Sequence, residues 1–117
     1  LLAEDNPDTR RLLTFQLREA GHEVVAVPDG EVALNSMREA HGAFDAVLLD
    51  MQMPKRDGFE VARVLRQMDY QEPIIALTAH SFPGDREQCL AAGCSDYLTK
   101  PFNWSELFER LGAAQSQ

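Results

Sequence analysis

Asp50 closes the apolar run Ala46-Val47-Leu48-Leu49 and is followed by Met51-Gln52-Met53-Pro54. Glu4 and Asp5 close a second run, Leu1-Leu2-Ala3; Thr78 closes a third, and Lys100-Pro101 follows Tyr97-Leu98-Thr99. Short apolar runs bounded by turn signals read as buried strands, and ligands bind at the C-terminal edge of an open α/β sheet. Carboxylates gathered there repel one another, which raises their proton affinity until a cation relieves it. Oxygen ligands favour a hard divalent ion, Mg²⁺ with Mn²⁺ as the alternative. Asp5 and Asp50 are the expected direct ligands, with Glu4 acting through water. The backbone carbonyl of Gln52, in a turn expected to point inward, is a third. A carboxylate beside such an ion and the Lys100 ammonium is a nucleophile toward phosphorus, so Asp50 would carry an aspartyl phosphate. The Thr78 hydroxyl could then donate to a phosphoryl oxygen, drawn inward when phosphate is present and released when it is absent.

Bringing these residues to one edge requires alternating strands and helices, and the chain supplies them. A first helix is expected after Asn6-Pro7-Asp8, with Leu13, Leu17 and Ala20 inward and Gly21 at its end. A strand over 23–27 precedes a helix opened by Asp29-Gly30, with Ala33, Leu34, Met37 and Ala40 inward. The third strand is expected over 44–49. Val61, Val64, Leu65 and Met68 then have the spacing of an amphipathic helix. A strand over 73–77 leads to a helix from Pro83-Gly84-Asp85 to Gly93, a strand over 96–99, and a last helix with Trp104, Leu107, Phe108 and Leu111 on one face. This strand–helix unit, occurring five times, predicts a flavodoxin-like three-layer α/β fold with a parallel sheet in the order 2-1-3-4-5. Strands one and three are then neighbours, and Glu4, Asp5 and Asp50 meet at the switch point between them.

Bulk composition excludes several classes. At 117 residues and 44% hydrophobic, the chain is one globular domain rather than a disordered segment. A net charge of −8 suits a cation site and argues against direct nucleic-acid binding. No apolar run approaches the ~18 residues of a membrane span. Cys89 and Cys94 are too few and too close for a disulfide scaffold or zinc site, which points to small buried residues and a reducing cytoplasm. The start inside an apolar run without Met, and the fading Gly-Ala-Ala-Gln-Ser-Gln end, lead us to expect a single module, residues 1–117, excised from a longer protein that could itself be membrane-anchored.

Four blocks in order, Glu4-Asp5-Asn6, Asp50-Met51-Gln52-Met53-Pro54 through Asp57-Gly58, Ala76-Leu77-Thr78-Ala79 and Asp96 through Phe102, resemble the receiver domain of two-component response regulators. The resemblance spans essentially the whole chain. It implies that Asp50 accepts a phosphoryl group from a histidine kinase or a histidine phosphotransfer domain, and that Glu4 and Asp5 are the family's acidic pair. Thr78 becomes the switch hydroxyl, Lys100 the phosphate-pairing lysine and Tyr97 the aromatic whose rotamer follows the threonine. Lys100-Pro101 matches a peptide bond that the family holds cis. Gln52 and His80 match positions that flank the phosphoryl group and tune its hydrolysis. Such a domain catalyses its own phosphorylation and dephosphorylation without being a turnover enzyme. The stretches 74–80 and 83–86 look most like receivers fused to hybrid sensor histidine kinases. The face made by the fourth helix, fifth strand and fifth helix is a candidate for weak dimerisation, since Tyr97 reports there. Lys55-Arg56 departs into two cations after the acceptor, which either steer an acidic partner or are solvated.

Other classes fit less well. A phosphorylation-independent docking module of the same fold would not need the full set of acidic pair, acceptor, hydroxyl and lysine. A stand-alone or effector-linked regulator remains the alternative parent. A dehalogenase-like phosphatase places a general-acid Asp two residues after its nucleophile, where this chain has Gln52. A flavodoxin-like cofactor binder would need a Ser/Thr/Gly-rich phosphate loop after the first strand. His22, His41 and His80 lie in different turns and form no metal cluster.

Overall fold

The computed structural model describes residues 1–53, 57–78, 84–100 and 104–115, with side chains described up to Leu111 and excluding Asp85. Five strands and five helices alternate: β1 (Leu2–Ala3), α1 (Pro7–Glu19), β2 (Ala26–Val27), α2 (Gly30–Glu39), β3 (Val47–Asp50), α3 (Gly58–Gln67), β4 (Ile74–Thr78), α4 (Asp85–Ala92), β5 (Asp96–Thr99) and α5 (Trp104–Gln115). All strand pairs are parallel, and the order is β2-β1-β3-β4-β5 as expected. Asp50 is the last residue of β3, in register with Leu77 of β4.

Local chemistry sets where helices begin. The Asn6 side chain accepts from the Asp8 and Thr9 amides, and Pro7 occupies the first turn of α1, where its missing N–H costs nothing. Asp29 caps α2 through the Val32 amide, and Asp57 caps α3 through the Glu60 amide. Gly84, before α4, is left-handed and supplies no side-chain cap.

The sheet divides the core in two. Side chains from alternate strand positions, Val47 and Leu49 or Ile74 and Ala76, pack with α2, α3 and α4. Their neighbours Leu48, Ile75 and Leu77 pack with Leu13 and Leu17 of α1 and Leu107 and Leu111 of α5. That alternation is the period of a strand buried on both faces. Cys89 and Cys94 are buried free thiols, and burial pushes the Cys94 thiol up to about 12, which leaves it unreactive.

Two polar side chains tie the far side of the sheet. The Tyr70 hydroxyl donates to the Phe44 carbonyl at 2.8 Å. Arg66, on the last turn of α3, donates to the carbonyls of Gly93 (2.8 Å), Tyr70 (2.6 Å) and Glu72 (2.9 Å). It thereby fastens the C-terminal end of α4 to α3 and to the segment entering β4.

Some boundaries differ from the sequence reading. The third strand runs 47–50 rather than 44–49, because the Phe44 carbonyl is taken by Tyr70 and pairing begins with the Val47 amide on Pro73. β2 shortens to Ala26–Val27, an edge strand paired only with β1. Ala20, Ala40 and Met68 are C-caps rather than core positions; Ala20 and Met68 are exposed and Ala40 half-buried. Trp104 and Phe108 are half-buried against the α1/α5 core, and His22 stacks on Phe108. Among the described residues no helix is long and apolar enough to cross a membrane.

Candidate phosphoacceptor and cation site

β1, β3, β4 and β5 end side by side and deliver the expected residues to one edge. Glu4 follows β1; its amide continues the ladder to the Val27 carbonyl, and its side chain is fully buried. Asp5, the next residue, is exposed. Asp50 is buried at the end of β3, and its carboxylate accepts the Gln52 amide at 3.1 Å. One carboxylate oxygen from each of Glu4, Asp5 and Asp50 lies within 4.8 Å of the others. The donor set is all oxygen, without histidine or cysteine, and so fits a hard divalent cation.

Lys100 comes from the end of β5, where its amide donates to the Thr78 carbonyl at 2.6 Å. Its ammonium donates to both Glu4 oxygens, at 2.9 and 3.1 Å, and lies 3.7 Å from Asp50 Oδ2. The sequence reading assigned Lys100 to phosphate and Glu4 to a metal-bound water; the structure joins the two directly. A fully buried carboxylate requires such a partner. Thr78 is buried at the end of β4, and Tyr97 is half-buried against the core on the α4 side. Gln52 is exposed beside Asp50. His80, Pro54, Lys55, Arg56, Pro101 and Phe102 lie outside the described residues.

The acceptor carboxyl is strongly perturbed. Burial, first, and then a hydrogen bond to Glu4 and the nearness of Asp5 push Asp50 up to about 7, while the Gln52 amide pulls the other way. The expected mutual repulsion is present, but burial is the larger cause.

Two residues that build the site carried no sequence signal of their role. Gly58 starts α3 flush against the end of β3: a Cβ there would sit 2.6 Å from the Asp50 carbonyl and 2.6 Å from Met51 Cα. Both are backbone atoms that cannot step aside, so Gly58→Ala is expected to destabilise the fold by ~2–3 kcal/mol. Urea denaturation would check this, and an unchanged midpoint would mean the two elements separate freely. Arg10, in the second turn of α1, donates from its guanidinium to the Glu4 carbonyl at 2.9 Å and to the Asp5 carbonyl at 3.5 Å.

The family model described as the response regulator receiver domain matches residues 1–112. Among curated relatives, the transcriptional regulatory protein TcrA of Mycobacterium tuberculosis is 45% identical over 113 residues, 97% of this chain and 44% of TcrA. The sensor protein GacS of Pseudomonas syringae is 38% identical over 92% of this chain and 12% of its own length. The chain thus spans less than half of either protein. A crystal structure of the receiver domain of sensor histidine kinase PA1611 from Pseudomonas aeruginosa, with a magnesium ion in its active-site cleft, superposes with a TM-score of 0.90. It is 40% identical and is covered to 95%, against 99% of this chain.

Proposed function

The chain belongs to the response regulator receiver domain family, and on that premise we propose that Asp50 takes a phosphoryl group from the phosphohistidine of a histidine kinase or histidine phosphotransfer domain. The observation that supports this most is the meeting of the Glu4, Asp5 and Asp50 carboxylates with the Lys100 ammonium at the ends of β1, β3 and β5. An Asp50 oxygen attacks phosphorus; the P–O bond forms as the P–N bond breaks, and the departing imidazole keeps the electron pair and takes up a proton. Asp5, Asp50 and the Gln52 carbonyl hold Mg²⁺, or Mn²⁺, with Glu4 acting through water. Bound there, the ion offsets negative charge on the phosphoryl oxygens. Lys100 exchanges part of its hold on Glu4 for the phosphoryl group, and Thr78 donates to it. Tyr97 follows Thr78 and reports to the face of α4, β5 and α5, a weak dimer surface on which Arg110 pairs with Asp96. Gln52 and His80 set how readily water attacks the product.

Incubation of the protein with Mg²⁺ and acetyl phosphate, followed by intact mass, tests the reading. Gain of one phosphoryl group only when Mg²⁺ is present is expected. A folded, Mg²⁺-binding protein that gains none, from acetyl phosphate or from phosphohistidine, would be a docking module instead. Acidity gives a second test. With Asp50 titrating near 7, the nucleophilic carboxylate is lost as pH falls through that value. At limiting Mg²⁺, uptake should drop about tenfold from pH 8 to pH 6, and saturating Mg²⁺ should move the midpoint lower. A flat profile at limiting Mg²⁺ would contradict the raised value.

We place this domain in the cytoplasm, as one part of a hybrid sensor histidine kinase; the identity to the PA1611 receiver supports that parent. The higher identity to TcrA favours a second reading, a receiver linked to an effector. ATP-dependent autophosphorylation of the parent on histidine would support the first, and its absence from a parent that binds DNA the second.

A further inference from the structure

We propose that Arg10 is a positioning residue for the cation site, holding from behind the turn that presents Glu4 and Asp5; this rests on the reading of that site as a Mg²⁺ site. Asp5 is exposed, so its carboxylate is placed chiefly by its backbone. That backbone is tied at several points. The Glu4 amide bonds to the Val27 carbonyl, the Asn6 carbonyl accepts the Arg10 amide at 2.8 Å, and the Asn6 side chain caps α1. The remaining carbonyls, those of Glu4 and Asp5, both face the Arg10 guanidinium. Both bonds come from one nitrogen, Nη1, whose N–H directions are fixed in the guanidinium plane, whereas a lysine ammonium is a point charge on a flexible stem with freely rotating donors. Arg10 is half-buried, and the Thr14 hydroxyl donates to the Arg10 carbonyl at 2.7 Å, which secures the helical turn from which the guanidinium reaches back. Arg11, its neighbour, is exposed and points to no such role.

Charge and geometry make opposite demands here, and that makes the proposal testable. A guanidinium near a cation site repels the cation, so removing it should tighten binding if charge alone mattered. If the planar Nη1 donor fixes the ligands, removing it should weaken binding, as loss of outer partners of metal ligands commonly does. Calorimetric titration of Mg²⁺ into the wild type, Arg10→Lys and Arg10→Met separates the two, with urea midpoints measured in parallel without Mg²⁺. We expect Arg10→Lys, which keeps the charge and loses the fixed planar donor, to weaken Mg²⁺ about five- to tenfold, and Arg10→Met to weaken it by more than about twofold. Arg10→Lys within twofold of the wild type, or Arg10→Met binding more tightly, would overturn the proposal. So would variants whose urea midpoints fall while Mg²⁺ affinity stays unchanged, since the two bonds would then serve stability alone. A wild type that binds no Mg²⁺ would overturn both this proposal and the reading beneath it, whereas Mg²⁺ binding insensitive to Arg10 would overturn this one only.

Discussion

Asp50→Asn is expected to abolish phosphoryl uptake from acetyl phosphate while making the metal-free fold more stable at pH 8. The first effect follows because an amide is not a nucleophile toward phosphorus. The second follows from burial: an ionised carboxylate is held in a nearly closed site beside two others. The folded carboxyl is raised from 3.8 to about 7, so the folded state binds a proton more tightly than the unfolded one. The stability from this group is therefore fully present below about 4 and lost as pH rises through about 7. A rise from 3.8 to about 7 would correspond to ~4 kcal/mol; the nearby Lys100 and local relaxation reduce the expected gain to ~1–3 kcal/mol. The gain should be present at pH 8 and disappear toward pH 4. Urea denaturation of both proteins at the two pH values reads it. A variant that labels at the wild-type rate would remove Asp50 as acceptor, and one destabilised at pH 8 would mean that the carboxylate is well solvated.

Lys100→Met should separate two things that the wild type does together. Its ammonium neutralises Glu4, which has no exposure to solvent, and also approaches Asp50. Breaking a buried pair by deleting one member leaves an uncompensated charge, and we expect a loss of ~2–4 kcal/mol without Mg²⁺. Removing a cation from beside a cation site should tighten Mg²⁺ severalfold. Phosphoryl uptake should nonetheless fall by about 10² or more, because the donor aimed at developing phosphoryl charge is gone. Calorimetry, urea denaturation and the labelling rate give the three values. Weaker Mg²⁺ binding, or labelling at the normal rate, would show that Lys100 serves only to hold Glu4.

How much of this the sequence could carry depends on the kind of interaction. Sheet order was legible because apolar runs and helical stripes alternate without interruption, and the placement of Glu4, Asp5, Asp50, Thr78 and Lys100 on one edge follows from that order alone. Strand ends were less legible: Phe44 and Ala46 read as strand, but whether a carbonyl joins the ladder or meets the Tyr70 hydroxyl is a tertiary matter. The Glu4–Lys100 pair joins residues 96 positions apart, and its partners each had another expected role. Arg10 and Arg66 were invisible for a different reason. An arginine on a helix turn is ordinary, and nothing in Arg10-Arg11 or Arg63-Val64-Leu65-Arg66 marks which guanidinium will find backbone carbonyls. Gly58 entered only as the last residue of a block that resembles the receiver family; its closeness to the Asp50 carbonyl is set by where α3 lands.

The anchoring of α4 has a mechanical consequence. At its far end Arg66 grips the Gly93 carbonyl, while at its near end Gly84 offers no side-chain cap. Among the described residues, the helix is therefore tied at its Gly93 end by a side chain and held at its Gly84 end by backbone bonding alone. The free-energy cost of local opening should rise along its length, so that thermal fluctuation loosens the first turn long before the last.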